Sequence, residues 1–168
     1  MIKGNVSMLR FRSLLFIITM MSLGAGCGGP EISYTLVFPH TDTFLLAANV
    51  TIDVYDNVED SDAICRNLSV NQAPGSSPVS STGKQDVCDF LNGGVKIDRV
   101  STGRLVVFAS VEDRAGTALM RGCRVADVYP ETENIEITLS TLPTYPVDPT
   151  ITCSSTAEKC EEEKDCTE

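Results

Sequence analysis

Gly103-Arg104-Leu105-Val106-Val107-Phe108-Ala109-Ser110-Val111-Glu112 is apolar on both faces of an extended chain, the pattern of a strand covered from two sides. Asp113-Arg114-Ala115-Gly116 follows and has the composition of a tight loop. Residues 117–128 then return as a second β-rich run, closed by Tyr129-Pro130. Two strands joined by so short a loop pair antiparallel. Working outward, Asn134-Ile135-Glu136-Ile137-Thr138-Leu139 alternates apolar and polar as a last strand, and Leu142-Pro143-Thr144-Tyr145-Pro146 ends the ladder. Upstream, Asn92-Gly93-Gly94 reads as a turn into residues 95–100. Val50, Ile52 and Val54 share one face of another alternating run, with Thr51, Asp53 and Tyr55 on the other. Tyr34-Thr35-Leu36-Val37-Phe38 stops at Pro39.

After residue 27 no window long enough for a globular helix repeats with helical period. The expectation is an all-β fold: a single antiparallel β-sandwich of about seven strands, of immunoglobulin-like size, over residues 32–142. Residues 143–168 form an acidic, cysteine-rich tail.

Six cysteines lie beyond residue 27: Cys65, Cys88, Cys123, Cys153, Cys160 and Cys166. An even number in an exported chain reads as disulfides, and six allow 15 pairings. Three lie in the body and three in the tail, so full internal pairing requires an odd number of body-to-tail bridges. The tail is therefore expected to be stapled to the domain, as a clamp over a sheet edge or as a recognition loop. Zinc is a poor fit, because there is no Cys-x-x-Cys pair and His40 is the only histidine.

Acidic residues number 23, and none lies in residues 1–26, which hold three of the 13 basic ones. Residues 27–168 thus carry ten basic against 23 acidic side chains, a formal net charge of −13. Such a surface repels phosphate backbones and excludes nucleic acid as a natural partner. Asp56, Glu59, Asp60 and Asp62 form the densest acidic loop, a calcium candidate weighed against a merely solvated loop. No cofactor is expected. No catalytic residue is assigned either, since His40 sits in a polar turn and no serine occupies a Gly-x-Ser-x-Gly elbow.

The N-terminus carries a different message. Lys3, Arg10 and Arg12 precede the apolar run 13–23, then come Gly24, Ala25, Gly26 and Cys27. A cationic start, a short apolar stretch and small residues form an export signal, too short for a spanning helix. Met8 could equally be the start, since Arg10 and Arg12 suffice for its charge. Small residues followed directly by cysteine resemble the lipobox of bacterial lipoproteins. That resemblance implies removal of residues 1–26, a diacylglyceryl thioether on Cys27, and a tether over residues 27–31. It places the chain in the bacterial cell envelope, and Gly28 in place of aspartate implies the outer membrane. The implied partners are the membrane, through the lipid, and another envelope protein. An ordinary cleaved signal, with Cys27 free to join a disulfide, is the alternative. Asn49-Val50-Thr51 and Asn67-Leu68-Ser69 fit the glycosylation triplet but have no meaning in a bacterial cell.

Residues 100–117, with the return Gly122-Cys123, Val125 and Val128, resemble transthyretin-like modules such as carboxypeptidase regulatory domains. There too a turn glycine opens a Val/Ala strand, and an Asp-x-x-Gly hairpin and a Gly-small strand follow. The likeness implies structural, adhesive or ligand-holding roles and carries no catalytic residues. The leading expectation is a non-enzymatic envelope module. An envelope hydrolase, or a protease inhibitor acting through loop 73–84, is the alternative.

Overall fold

A computed structural model describes residues 30–168, apart from 57–59, 71–76, 92–95, 98–99, 147–148, 162–165 and 167–168. In chain order its elements are β1 (Ile32–Val37), α1 (Thr41–Leu46), β2 (Asn49–Tyr55), α2 (Ser61–Ser69), β3 (Ser80–Ser81), β4 (Gln85–Asp86), α3 (Val87–Leu91), β5 (Lys96–Ile97), β6 (Gly103–Glu112), β7 (Ala118–Val128), β8 (Asn134–Thr138), β9 (Ser140–Thr141) and α4 (Thr156–Cys160). Strands dominate and the helices are short.

The β6–β7 hairpin is the spine of the larger sheet. Asp113 closes it: its carboxylate accepts from the Thr117 N–H at 2.8 Å, and its own N–H donates to the Thr117 carbonyl at 3.0 Å. Gly116 takes φ +83° there, a conformation that favours glycine. β2 lies against the other edge of β6, antiparallel, with Val50 opposite Val111 and Val54 opposite Val107. Beyond β2, β3 and β4 are two halves of one run. Between them the Thr82 hydroxyl accepts from the Ile52 N–H at 2.9 Å, so a side chain continues the ladder where the backbone bulges.

The smaller sheet has the order β5-β1-β8. β1 and β5 are antiparallel, but β1 and β8 are parallel, from Ser33 opposite Asn134 to Val37 opposite Thr138. The antiparallel expectation therefore holds in the larger sheet and fails at this pair. The cause is the route of the chain: β7 ends where β1 begins, and the short link 129–133 sends β8 off in the same direction as β1. At Leu139, whose N–H donates to the Val37 carbonyl at 2.9 Å, the strand leaves the smaller sheet, and Ser140 then pairs with Arg121 in the larger one. β8 and β9 thus form one bent strand that serves both sheets.

One core fills the space between the sheets. Ile32, Tyr34, Ile135 and Ile137 meet Val50, Ile52, Leu105, Val107 and Val111 there. Each such aliphatic side chain contributes about 1.5–3 kcal/mol by leaving water. At Gly122 the layers approach closely: a Cβ added to it would stand 2.5 Å from the Thr138 carbonyl oxygen and 2.8 Å from Ile137 Cγ2.

The other face of β6 is covered as well. Val106 and Phe108 pack with Tyr55 and with Leu68 of α2, and Cys65–Cys123 ties that helix to β7. Tyr55, on the face opposite Val50, Ile52 and Val54, is buried for this reason. The apolar character of both faces of β6 is accounted for by a sheet on one side and a helix on the other.

Candidate functional site

The six-residue α1 is too short to persist alone and is held from outside. At its start the buried Thr43 hydroxyl donates to the His40 carbonyl at 2.6 Å. At its end Lys159 Nζ donates to the carbonyl oxygens of Phe44 at 3.0 Å, of Leu45 at 2.6 Å, and of Ala47. Three ammonium protons meet three carbonyls at the negative end of a helix, where a cation is most favourable. The same ammonium lies 5.3 Å from the centre of the Phe44 ring, which Phe38 meets edge-on.

Lys159 belongs to α4, and the next residue, Cys160, is bonded to Cys88 in α3. Asp86 caps α3 by accepting from the Cys88 N–H at 2.7 Å. Lys84, just before, reaches Glu112 at 2.7 Å. Three short helices and the tail are thus tied together at the end of the fold where β1 finishes. Cys153–Cys166 completes the tail, and both of its cysteines are buried in the main core. The six cysteines form one bridge within the body, one from body to tail and one within the tail, the odd count that parity requires.

The opposite end gathers the start of β1 and the turn before β8. The Ser33 N–H and hydroxyl both donate to the Glu133 carbonyl, at 3.0 and 2.7 Å. The Thr132 N–H donates to the Tyr129 carbonyl at 3.0 Å, and Thr132 Oγ1 accepts from the Tyr129 N–H at 2.9 Å. This turn leaves Tyr129 56% exposed.

The acidic loop does not assemble a ligand set among the described residues. Asp60 caps α2 by accepting from the Ala63 N–H at 2.8 Å, and Asp62 sits exposed in the first turn of that helix. Asp56 accepts from the Ser101 hydroxyl at 3.4 Å. Glu59 lies outside the described residues, and among those described no three His, Cys, Asp or Glu side chains gather to hold a metal. His40 precedes α1 at the surface. Cys27 and residues 73–76 of the loop considered for protease inhibition also lie outside the described part, whereas 77–84 form the β3 edge.

Three tyrosines are shifted. Burial pushes Tyr34 up to about 12. Burial and the neighbouring charge of Asp53 raise Tyr55, and burial and Asp42 raise Tyr145. All three stay protonated at neutral pH and act there as packing groups.

Sequence reasoning missed Lys159 and Arg121, whose guanidinium lies 3.4 Å from the Leu68 carbonyl near the end of α2. A signal existed for one of them: Ser155 and Glu158 stand in capping-box spacing, the Ser155 hydroxyl accepting from the Glu158 N–H at 3.2 Å. That box marks α4 and hence the position of Lys159. No family model, no curated protein and no solved structure matches the chain.

Proposed function

We propose that this chain is a lipid-anchored protein of the bacterial cell envelope, attached to the outer membrane through Cys27, whose β-domain binds or braces another envelope protein without catalysing a reaction. The observation that carries the reading is the N-terminal segment, in which Arg10 and Arg12, the apolar run 13–23 and the small residues 24–26 lead directly to Cys27. Three disulfides support it, since such bonds persist in oxidising compartments and are rare in the cytosol. We read the body as a sandwich of transthyretin-like kind. Two sheets sharing one core, the Asp113-to-Gly116 hairpin and the close approach at Gly122 support that reading. The parallel β1–β8 pair is this chain's own departure from an all-antiparallel sandwich.

The test is crosslinking of the native protein in intact cells, with captured proteins identified by mass spectrometry and a Cys27→Ala form as control. The expected result is one stoichiometric envelope protein, lost in the control. Recovery of bulk neighbours alone, equal in both forms, would overturn the reading of a membrane-dependent partner.

A further inference from the structure

We infer that the domain stands upright on the lipid surface, resting on the turn that carries Tyr129 and holding the stapled helices away from the membrane. This rests on lipidation of Cys27 and adds which face meets the bilayer. The argument begins with chain length. β1 starts at Ile32, which is fully buried, and Pro30 is the first described residue. Five peptide links separate Cys27 from Ile32, a reach of about 18 Å even when extended. The start of β1 is therefore held within that distance of the acylated residue.

The parallel pairing decides what else lies there. Because β8 runs with β1, the turn before β8 sits beside the start of β1, fixed by the two bonds from Ser33 to the Glu133 carbonyl. Tyr129 is the one aromatic among the exposed large apolar side chains of the described residues. An aromatic ring with a polar tip suits the headgroup region. The far end cannot compete, since β6 alone separates the hairpin tip from the base by roughly 30 Å.

Lying flat is also disfavoured. The outward face of the smaller sheet presents Ser33, Thr35, Asn134, Glu136 and Thr138, with Val37 at its far end as the one apolar side chain among the described residues, so it offers lipid little apolar surface. Depth is limited as well, because Glu31, Asp127, Glu131 and Glu133 are exposed around the turn and would resist entry below the headgroups.

The chain contains no tryptophan, so a single introduced one reports its own surroundings. Full-length protein carrying Tyr129→Trp, Ala115→Trp or Glu136→Trp would be made in lipoprotein-processing bacteria and reconstituted into phosphatidylcholine vesicles containing brominated lipid. Flotation with the vesicles, absent for Cys27→Ala, reads the anchor. Quenching reads the orientation. The expected result is quenching several-fold stronger at 129 than at 115 or 136, with a blue-shifted emission. Floating protein with equal quenching at 129 and 136, or with quenching strongest at 115, or with none at any site, overturns the upright orientation alone. Protein that does not float overturns the anchor and the orientation together.

Discussion

Gly122 and Gly116 are both glycines of necessity, for unrelated reasons. At Gly122 the missing Cβ is space: backbone oxygen and the Ile137 side chain occupy it. Gly122→Ala is expected to force β8 off β7 and lower stability by about 3 kcal/mol, measured by urea unfolding. At Gly116 nothing lies within 4 Å and only φ +83° is at stake, so Gly116→Ala should cost about 1 kcal/mol in the same assay. Tyr34 makes a separate case. Its hydroxyl is buried without a hydrogen-bond partner and its ionisation is pushed up to about 12. Well below pH 10 it is neutral whether the chain is folded or not, and stability is unaffected. Between pH 10 and 12 the unfolded chain releases the proton and the folded one keeps it, so stability falls as pH rises. Tyr34→Phe should lose nothing at pH 7 and should flatten this alkaline decline by roughly 2–3 kcal/mol at its limit.

Among the elements, the short helices depend on side chains brought from elsewhere. Lys159→Met keeps the aliphatic stem and the Cys88–Cys160 bridge while removing the charge that serves three carbonyls of α1. It should cost about 1–2 kcal/mol and speed amide exchange in α1 before the β6–β7 strands respond. The hairpin and the final strand could be read in advance, since each is long enough for its alternation, or for its apolar faces, to stand out. The helices could not, because five to nine residues do not complete the turns that a helical period needs. β3 and β4 hid behind a ladder continued by the Thr82 hydroxyl. The parallel partner of β1 lies a hundred residues away, beyond any local pattern. Of the candidate site residues, the six cysteines were legible in number but not in pairing. Asp60 fits an N-cap and a cation ligand alike, because both demand a carboxylate, and its bond from the Ala63 N–H shows the cap in place.

For the molecule as a whole, the Cys88–Cys160 bridge spans 72 residues and is the one disulfide between body and tail among the described residues. Cys88→Ser with Cys160→Ser should lower stability by about 4 kcal/mol on chain entropy alone. It should also open the tail to limited proteolysis near α4 while Cys65–Cys123 stays intact by mass. The pairing of β1 with β8 reaches further, into the order in which the fold is completed. Synthesis from the N-terminus delivers β1 first and β8 some hundred residues later. Until then β1 has no parallel neighbour, and the smaller sheet cannot close. Closure of the smaller sheet is therefore timed by the arrival of β8, when the chain is nearly complete.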